Sequence, residues 1–264
     1  MALIKGNNLD NSLRGSFQCE TIYGYEGNDD IHGDTGHDKI FGGYGDDTLY
    51  GDIGNDIIYG EDGHDKLDGG EGRDALFGQN GDDTIDGRNG NDRLEGGSGA
   101  DTVSGGDGND IVRGGEGSDT LIGNTGLDQL YGDDGNDSLE GNDGNDYIIG
   151  GKGSDVLKGG AGTDKFDFNS VEESSVSSTL MDVITDFSRS DKDKIDFKHI
   201  DANDQLEGNQ DFKFIGTAQF TSRAQVRFET SSQTVYLNTD GDLNPDLAIK
   251  VTGVNLLKAT DFVL

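Results

Sequence analysis

Between Gly24 and Asp167 an apolar residue returns every ninth position: Ile31, Ile40, Leu49, Ile58, Leu67, Leu76, Ile85, Leu94, Val103, Val112, Leu121, Leu130, Leu139, Ile148, Leu157 and Phe166. The residues around it are polar or glycine. A helix would repeat its apolar face every 3.6 residues and a continuous strand every second one, so the repeating element is neither. In each unit the apolar side chain stands between two outward neighbours in a short extended piece, and glycines at the first and fourth positions let the rest turn back. One unit cannot close a coil, whereas two units, eighteen residues, return the chain over its start. The pattern predicts an all-β parallel β-roll solenoid with two nonapeptide repeats per coil and a thin double row of Ile, Leu and Val inside. With strands stacked about 4.8 Å apart, eight coils extend roughly 38 Å.

The sixth position of all sixteen units is aspartate: Asp29, Asp38, Asp47, Asp56, Asp65, Asp74, Asp83, Asp92, Asp101, Asp110, Asp119, Asp128, Asp137, Asp146, Asp155 and Asp164. Two-unit coils place alternate aspartates on opposite edges, Asp29, Asp47 and Asp65 along one, Asp38, Asp56 and Asp74 along the other. Stacked carboxylates repel unless a hard cation lies between successive turns, where turn carbonyls add oxygen. Ca²⁺ accepts six to eight oxygens in flexible geometry, Mg²⁺ demands a small octahedron, and Zn²⁺ would want the His or Cys ligands this chain hardly has. Eight turns per edge leave fourteen potential inter-turn sites.

Composition agrees. The chain of 264 residues carries a net charge of -33 with 30% hydrophobic residues and 45 glycines, the composition of a disordered chain unless something neutralises it. Of this charge, -26 belongs to residues 1–167. Such a polyanion repels nucleic acid and anionic lipid. No apolar run is long enough to span a bilayer, and the N-terminus shows no Sec-type leader. The single Cys19 cannot form an internal disulfide. Three regions are expected: 1–23, two degenerate units forming an N-terminal cap, with Asn11 and Glu20 at the sixth position; 24–167, the roll; and 168–264, a C-terminal β cap. The last holds only four glycines and reads as short strands over Asp182 to Phe187, Lys194 to Phe197, Asp211 to Ile215, Gln225 to Glu229, Thr234 to Asn238 and Leu247 to Val251.

The unit GxxGxDxUx, U being apolar, resembles the GGxGxDxUx nonapeptide of the repeats-in-toxin family over residues 24–167. It departs at the second position, glycine in only seven units. The resemblance implies a calcium-bound β-roll in a secreted protein. Asp164 to Phe168, the segment from Asp182 to Phe187, Asp191 to Phe197 and Asn238 to Asp246 resemble the C-terminal domain of serralysin proteases. The ending Asp261-Phe262-Val263-Leu264 resembles the tail of proteins exported by type I, ATP-driven channels. Asn238, Asp240, Asp242, Asn244 and Asp246 could wrap one further Ca²⁺, or form a polar hairpin loop.

Catalysis has little to rest on. His32, His37, His64 and His199 form no HExxH and no serine sits in GxSxG. The carboxylate pairs that glycoside hydrolysis needs are here periodic, which leaves no distinct pair. The expected protein is therefore a secreted, non-enzymatic, monomeric calcium-binding β-roll, partnered by calcium and the type I secretion apparatus, whose folding follows export into calcium. Two alternatives remain: a calcium-dependent module for acidic extracellular glycan, similar to alginate epimerase repeat modules and offering Tyr25, Tyr44, Tyr50, Tyr59 and Tyr131 as a flank, or the carrier half of a serralysin-like protease.

Overall fold

The computed structural model describes residues 2–202, 210–240 and 242–264. Strand Ile57–Asp62 pairs in parallel with Ala75–Asn80, setting Ile58 opposite Leu76, while the intervening strand Lys66–Glu71 pairs on the other side with Thr84–Asn89, setting Leu67 opposite Ile85. Partners are thus eighteen residues apart, and a coil is two units, as the periodicity predicts. Among the described residues the strands form one sheet of twelve and one of fifteen, facing each other. Their inner faces meet through the eighth-position side chains, from Ile22 to Phe166, each at most 1% exposed.

The strands are longer than the apolar triplets suggest. Ile111–Gly117 and its neighbours run from the seventh position of one unit into the first positions of the next. Within them the backbone turns left-handed at the second position, where all sixteen residues hold a φ between 68° and 122°. Glycine adopts this conformation freely, and Asn or Asp tolerate it, but Tyr25, Glu61, Gln79 and Arg88 occupy it as well. Backbone pairing with the coils above and below holds them there: Gly43 lies opposite Glu61, and Gln79 opposite Gly97. At the fourth position glycine is required on steric grounds too. A Cβ on Gly108, whose φ is 145°, would lie 1.3 Å from the carbonyl oxygen of Gly90 in the preceding coil.

Beyond Asp167 the chain continues both sheets. Ile184 lies opposite Leu157 and then Val251, while Ile195 lies opposite Phe166 and then Phe262, so both apolar rows run on without a break. The predicted strands appear at Asp182–Ile184, Lys194–Asp196, Lys213–Phe214, Gln225–Glu229, Thr234–Asn238 and Leu247–Val251. The last three are antiparallel to one another and cover the edge of the fifteen-stranded sheet. Phe262–Val263 closes the other sheet. No helix among the described residues is long and apolar enough to cross a membrane.

The two glycine positions respond oppositely to substitution. Gln79→Gly relieves a left-handed backbone and should stabilise the folded roll by about 0.5–1 kcal/mol, the strain exceeding the added chain entropy. Gly108→Ala should destabilise it by several-fold more. Urea unfolding of the calcium-loaded variants measures both changes.

Candidate metal centre

Each sixth-position aspartate ends the turn, immediately before the strand that carries the buried apolar residue. That placement carries its side chain inward, and all sixteen are at most 3% exposed. The carboxylate does not face its neighbour as an isolated charge. Its Oδ1 accepts a hydrogen bond from the backbone N–H of the sixth-position residue one coil earlier, as from Asp29 to Asp47, Asp83 to Asp101 and Asp101 to Asp119. Across the sixteen aspartates these bonds measure 2.6–3.0 Å. The two columns are therefore those predicted, and each is locked to its own backbone.

The other oxygen is left over. Oδ2 of every one of the sixteen is buried and accepts no hydrogen bond. It points into a space kept open by the first-position glycine: a Cβ on Gly24 would lie 2.1 Å from Asp29 Oδ2 and 2.4 Å from the carbonyl oxygen of Gly42 in the next coil. On the opposite edge a Cβ on Gly87 would meet Gly105 O at 2.4 Å and Asp92 Oδ2 at 2.7 Å. The first-position glycine thus makes room for two oxygens, one carboxylate and one carbonyl. Among the described residues no three His, Cys, Asp or Glu side chains cluster as a site of side chains alone, so a cation in these turns would draw on backbone oxygen as well. An all-oxygen donor set of this kind suits Ca²⁺ rather than Zn²⁺.

Burial without a cation disfavours ionisation. It pushes Asp47, Asp56, Asp65, Asp83, Asp92, Asp137 and Asp164 up to about 7. Asp74, Asp101, Asp110, Asp128, Asp146 and Asp155 rise to about 6. Asp29, Asp38 and Asp119 are raised as well. Desolvation is the largest cause throughout, opposed by the amide hydrogen bond; charges along the column add to it, as Asp65 and Asp29 do at Asp47.

A second ladder, not anticipated from the sequence, runs along the fifth position in the opposite sense. There a side chain accepts from the backbone N–H one coil later: Asn28 from Asp46, Asp46 from His64, and His64 Nδ1 from Asp82 at 2.8 Å. His37 Nδ1 accepts in the same way from Asn55 at 2.7 Å. The prevalence of Asn, Asp and His at this position was the available signal. His32, at a ninth position, stacks on Tyr50 with centroids 4.3 Å apart. His199 lies on the C-terminal side, 3.7 Å from Asp167.

The tyrosines offered as one flank are brought together only in part: Tyr25 and Tyr44 lie on paired strands of the twelve-stranded sheet, beside Tyr23 and Phe41. Ninth positions of adjacent units face opposite sides, so Tyr50 lies on the fifteen-stranded sheet while Tyr59 and Tyr131 lie on the other, four coils apart. Tyr59 and Tyr25 share one stack, which runs Tyr25, Tyr23, Phe41, Tyr59 and Phe77 with centroids 4.7–5.9 Å apart. In the C-terminal loop, Asp246 Oδ2 accepts from Thr239 N and Oγ1, and Asp240 and Asp242 Oδ1 accept from the N–H groups of Asp242 and Asn244. Asn238 Nδ2 donates to the carbonyl of Asn244. Asn238 Oδ1 is buried and accepts no hydrogen bond.

The raised values give a pH dependence with a definite sign. In the absence of calcium the folded roll holds protons that the unfolded chain releases, so these groups favour folding below the ordinary carboxylate range and lose that contribution as pH rises through about 7. Circular dichroism in excess chelator should show β structure growing as pH falls from above 7 to about 5. With calcium the sense reverses: at about pH 5, where the protonated roll already holds β structure, binding should release protons, measurable in weakly buffered solution.

Comparison with known proteins gives these columns a family. No curated protein matches the chain. Among solved structures, the AlgE6R2 subunit of the mannuronan C5-epimerase of Azotobacter vinelandii is similar over 58% of this chain and 91% of its own, with 23% identity and a TM-score of 0.42. The AlgE6R3 subunit of the same enzyme is similar over 60% and 80%, with 27% identity and a TM-score of 0.34. At these scores neither superposition bears on function. The family model for the RTX calcium-binding nonapeptide repeat, in contrast, matches residues 6–40, 41–76, 68–103, 77–112, 104–139, 113–148 and 140–170. With its sixteen in-phase units, its parallel roll and a family match over more than half its length, the chain belongs to the RTX calcium-binding nonapeptide repeat family.

Proposed function

We propose that this chain is a secreted, non-enzymatic protein whose repeat region folds when calcium occupies the turns, after export through a type I channel. The observation that carries the reading is the set of sixteen buried carboxylate oxygens without a hydrogen-bond partner, each beside a space that a first-position glycine keeps open. The sixth-position aspartates from Asp29 to Asp164 would hold the ions with the turn carbonyls beside them. Bound Ca²⁺ supplies positive charge and oxygen coordination. The chain does the rest: it orients each Oδ1 through an amide N–H, excludes water from Oδ2 and stacks successive turns in register. Fourteen inter-turn ions would carry +28 against the -26 of residues 1–167, near neutrality.

Export and folding fit together through the same charge. At low calcium the repeat region is an expanded polyanion suited to threading a channel, and millimolar calcium outside the cell would collapse it. The segment from Asp261 to Leu264 supports the export route, and in the folded protein its Phe262–Val263 forms the last strand of the twelve-stranded sheet. The non-enzymatic reading is supported by the engagement of His37 and His64 in the fifth-position ladder.

A calcium titration followed by circular dichroism tests the folding step. Residues 2–167 should pass from disordered to β as Ca²⁺ is added, and an equal concentration of Mg²⁺ should not substitute, because it holds its water too firmly for a cage of carbonyls. A β spectrum at neutral pH that a strong chelator leaves unchanged would contradict the reading.

A further inference from the structure

The two carboxylate columns have four ends, and they are not alike. At the N-terminal ends the sixth-position residues are sealed by protein groups. Asn11 Oδ1 accepts from Asn7 N at 2.7 Å and its Nδ2 donates to Leu9 O at 2.6 Å. Glu20 accepts from Ser16 N at 3.1 Å and Ser16 Oγ at 2.9 Å. At the C-terminal ends both columns outrun the repeats. Asp193 takes the next place after Asp164, accepting its N–H at 3.1 Å, and Asp182 takes the next place after Asp155, accepting its N–H at 2.9 Å. The sheet register requires this: Val156 lies opposite Val183 and Lys165 opposite Lys194, so Asp182 and Asp193 stand where a sixth-position aspartate would. Their separations from the previous member are 27 and 29 residues, which is why no nonapeptide period reveals them.

These two ends then differ. Asp193 is closed: its second oxygen accepts from Ser188 N at 2.6 Å and its own N–H donates to Ser188 O at 3.1 Å. Asp182 is closed only at its amide, which donates to Ser174 Oγ at 2.8 Å, and that hydroxyl in turn donates to Ala248 O at 2.8 Å. Its Oδ2 is fully buried and accepts no hydrogen bond, just as in the sixteen repeat aspartates. Asp155 Oδ2, across the gap, is in the same condition. Glu173, also buried, adds negative charge that acts on Asp182. Loop residues 168–181 lie between the repeats and Asp182, so a cation here would fasten the C-terminal region to the roll rather than one repeat to the next.

We propose that one further calcium-class divalent cation is held in the gap between Asp155 and Asp182, outside the repeats and on one edge only, and that it ties docking of the C-terminal region to calcium. This rests on the calcium reading of the repeats. On the other edge the hydrogen bonds of Ser188 replace the ion.

Native mass spectrometry of the full chain with Ca²⁺ alone as the probe tests the proposal. Asp182→Asn, which keeps an acceptor for Asp155 N–H but removes the charge, should bind one fewer Ca²⁺ than the wild type, whereas Asp193→Asn should bind the same number. Equal counts for Asp182→Asn and the wild type would overturn the proposal while leaving the repeat sites standing. A wild-type chain that binds no Ca²⁺ would overturn both. Hydrogen exchange on the wild type requires no variant to fold: amides of residues 182–187 should gain protection with calcium. Protection of the repeats without any gain at 182–187 would also overturn the proposal.

Discussion

A carboxylate oxygen buried in every turn, with no donor from the protein, is the constraint on which the rest of the structure depends. Leaving a buried polar group unsatisfied costs about 1–3 kcal/mol, more when it is charged. Sixteen such groups exceed the roughly 5–15 kcal/mol net stability typical of a domain. The core cannot offset this, because each unit contributes one apolar side chain to a two-row interior. A cation between the turns removes the penalty and turns the same oxygens into the strongest contacts in the coil. The first-position glycine leaves room for the oxygens, the fourth lets the preceding coil approach, and the second-position φ brings the chain round to present them.

Much of this was legible in the sequence because the period of nine forces each chemical role onto one position. Ile58 and Leu76 could be paired across a coil, and Asp29 assigned to the column of Asp47 rather than that of Asp38, from spacing alone. What spacing does not carry is direction and conformation. The N–H of Asp29 reaching Oδ1 of Asp47 fixes which oxygen stays free, and a sequence of residue types holds no trace of it. The second position illustrates the same limit. Its departures from glycine suggest weaker sites, yet Tyr25, Gln79 and Arg88 keep the left-handed backbone because pairing with adjacent coils dictates it. The strands beyond Asp167 were visible as apolar alternation, but the place of Asp182 and Asp193 in the columns was not, since loops break the period before both.

The C-terminal region closes the roll by continuing it. The apolar row passes from Leu157 to Ile184 to Val251 on one sheet and from Phe166 to Ile195 to Phe262 on the other, after which aromatic side chains replace the single aliphatic residue of each unit. The antiparallel strands Gln225–Glu229, Thr234–Asn238 and Leu247–Val251 need no coil and no metal to satisfy their backbone, so they can end a sheet that a further repeat could only extend. One chain thereby combines a metal-dependent architecture with a conventional packed core.

The most direct test of this account is anomalous scattering from crystals of the calcium-loaded protein. The account predicts two rows of peaks, one along each edge of the roll and spaced about 4.8 Å apart, each peak within coordination distance of Oδ2 atoms from sixth-position aspartates of successive coils. Ions found only on the outer carboxylates, such as Asp34, Asp52 or Asp133, with the buried Oδ2 atoms uncoordinated, would contradict it.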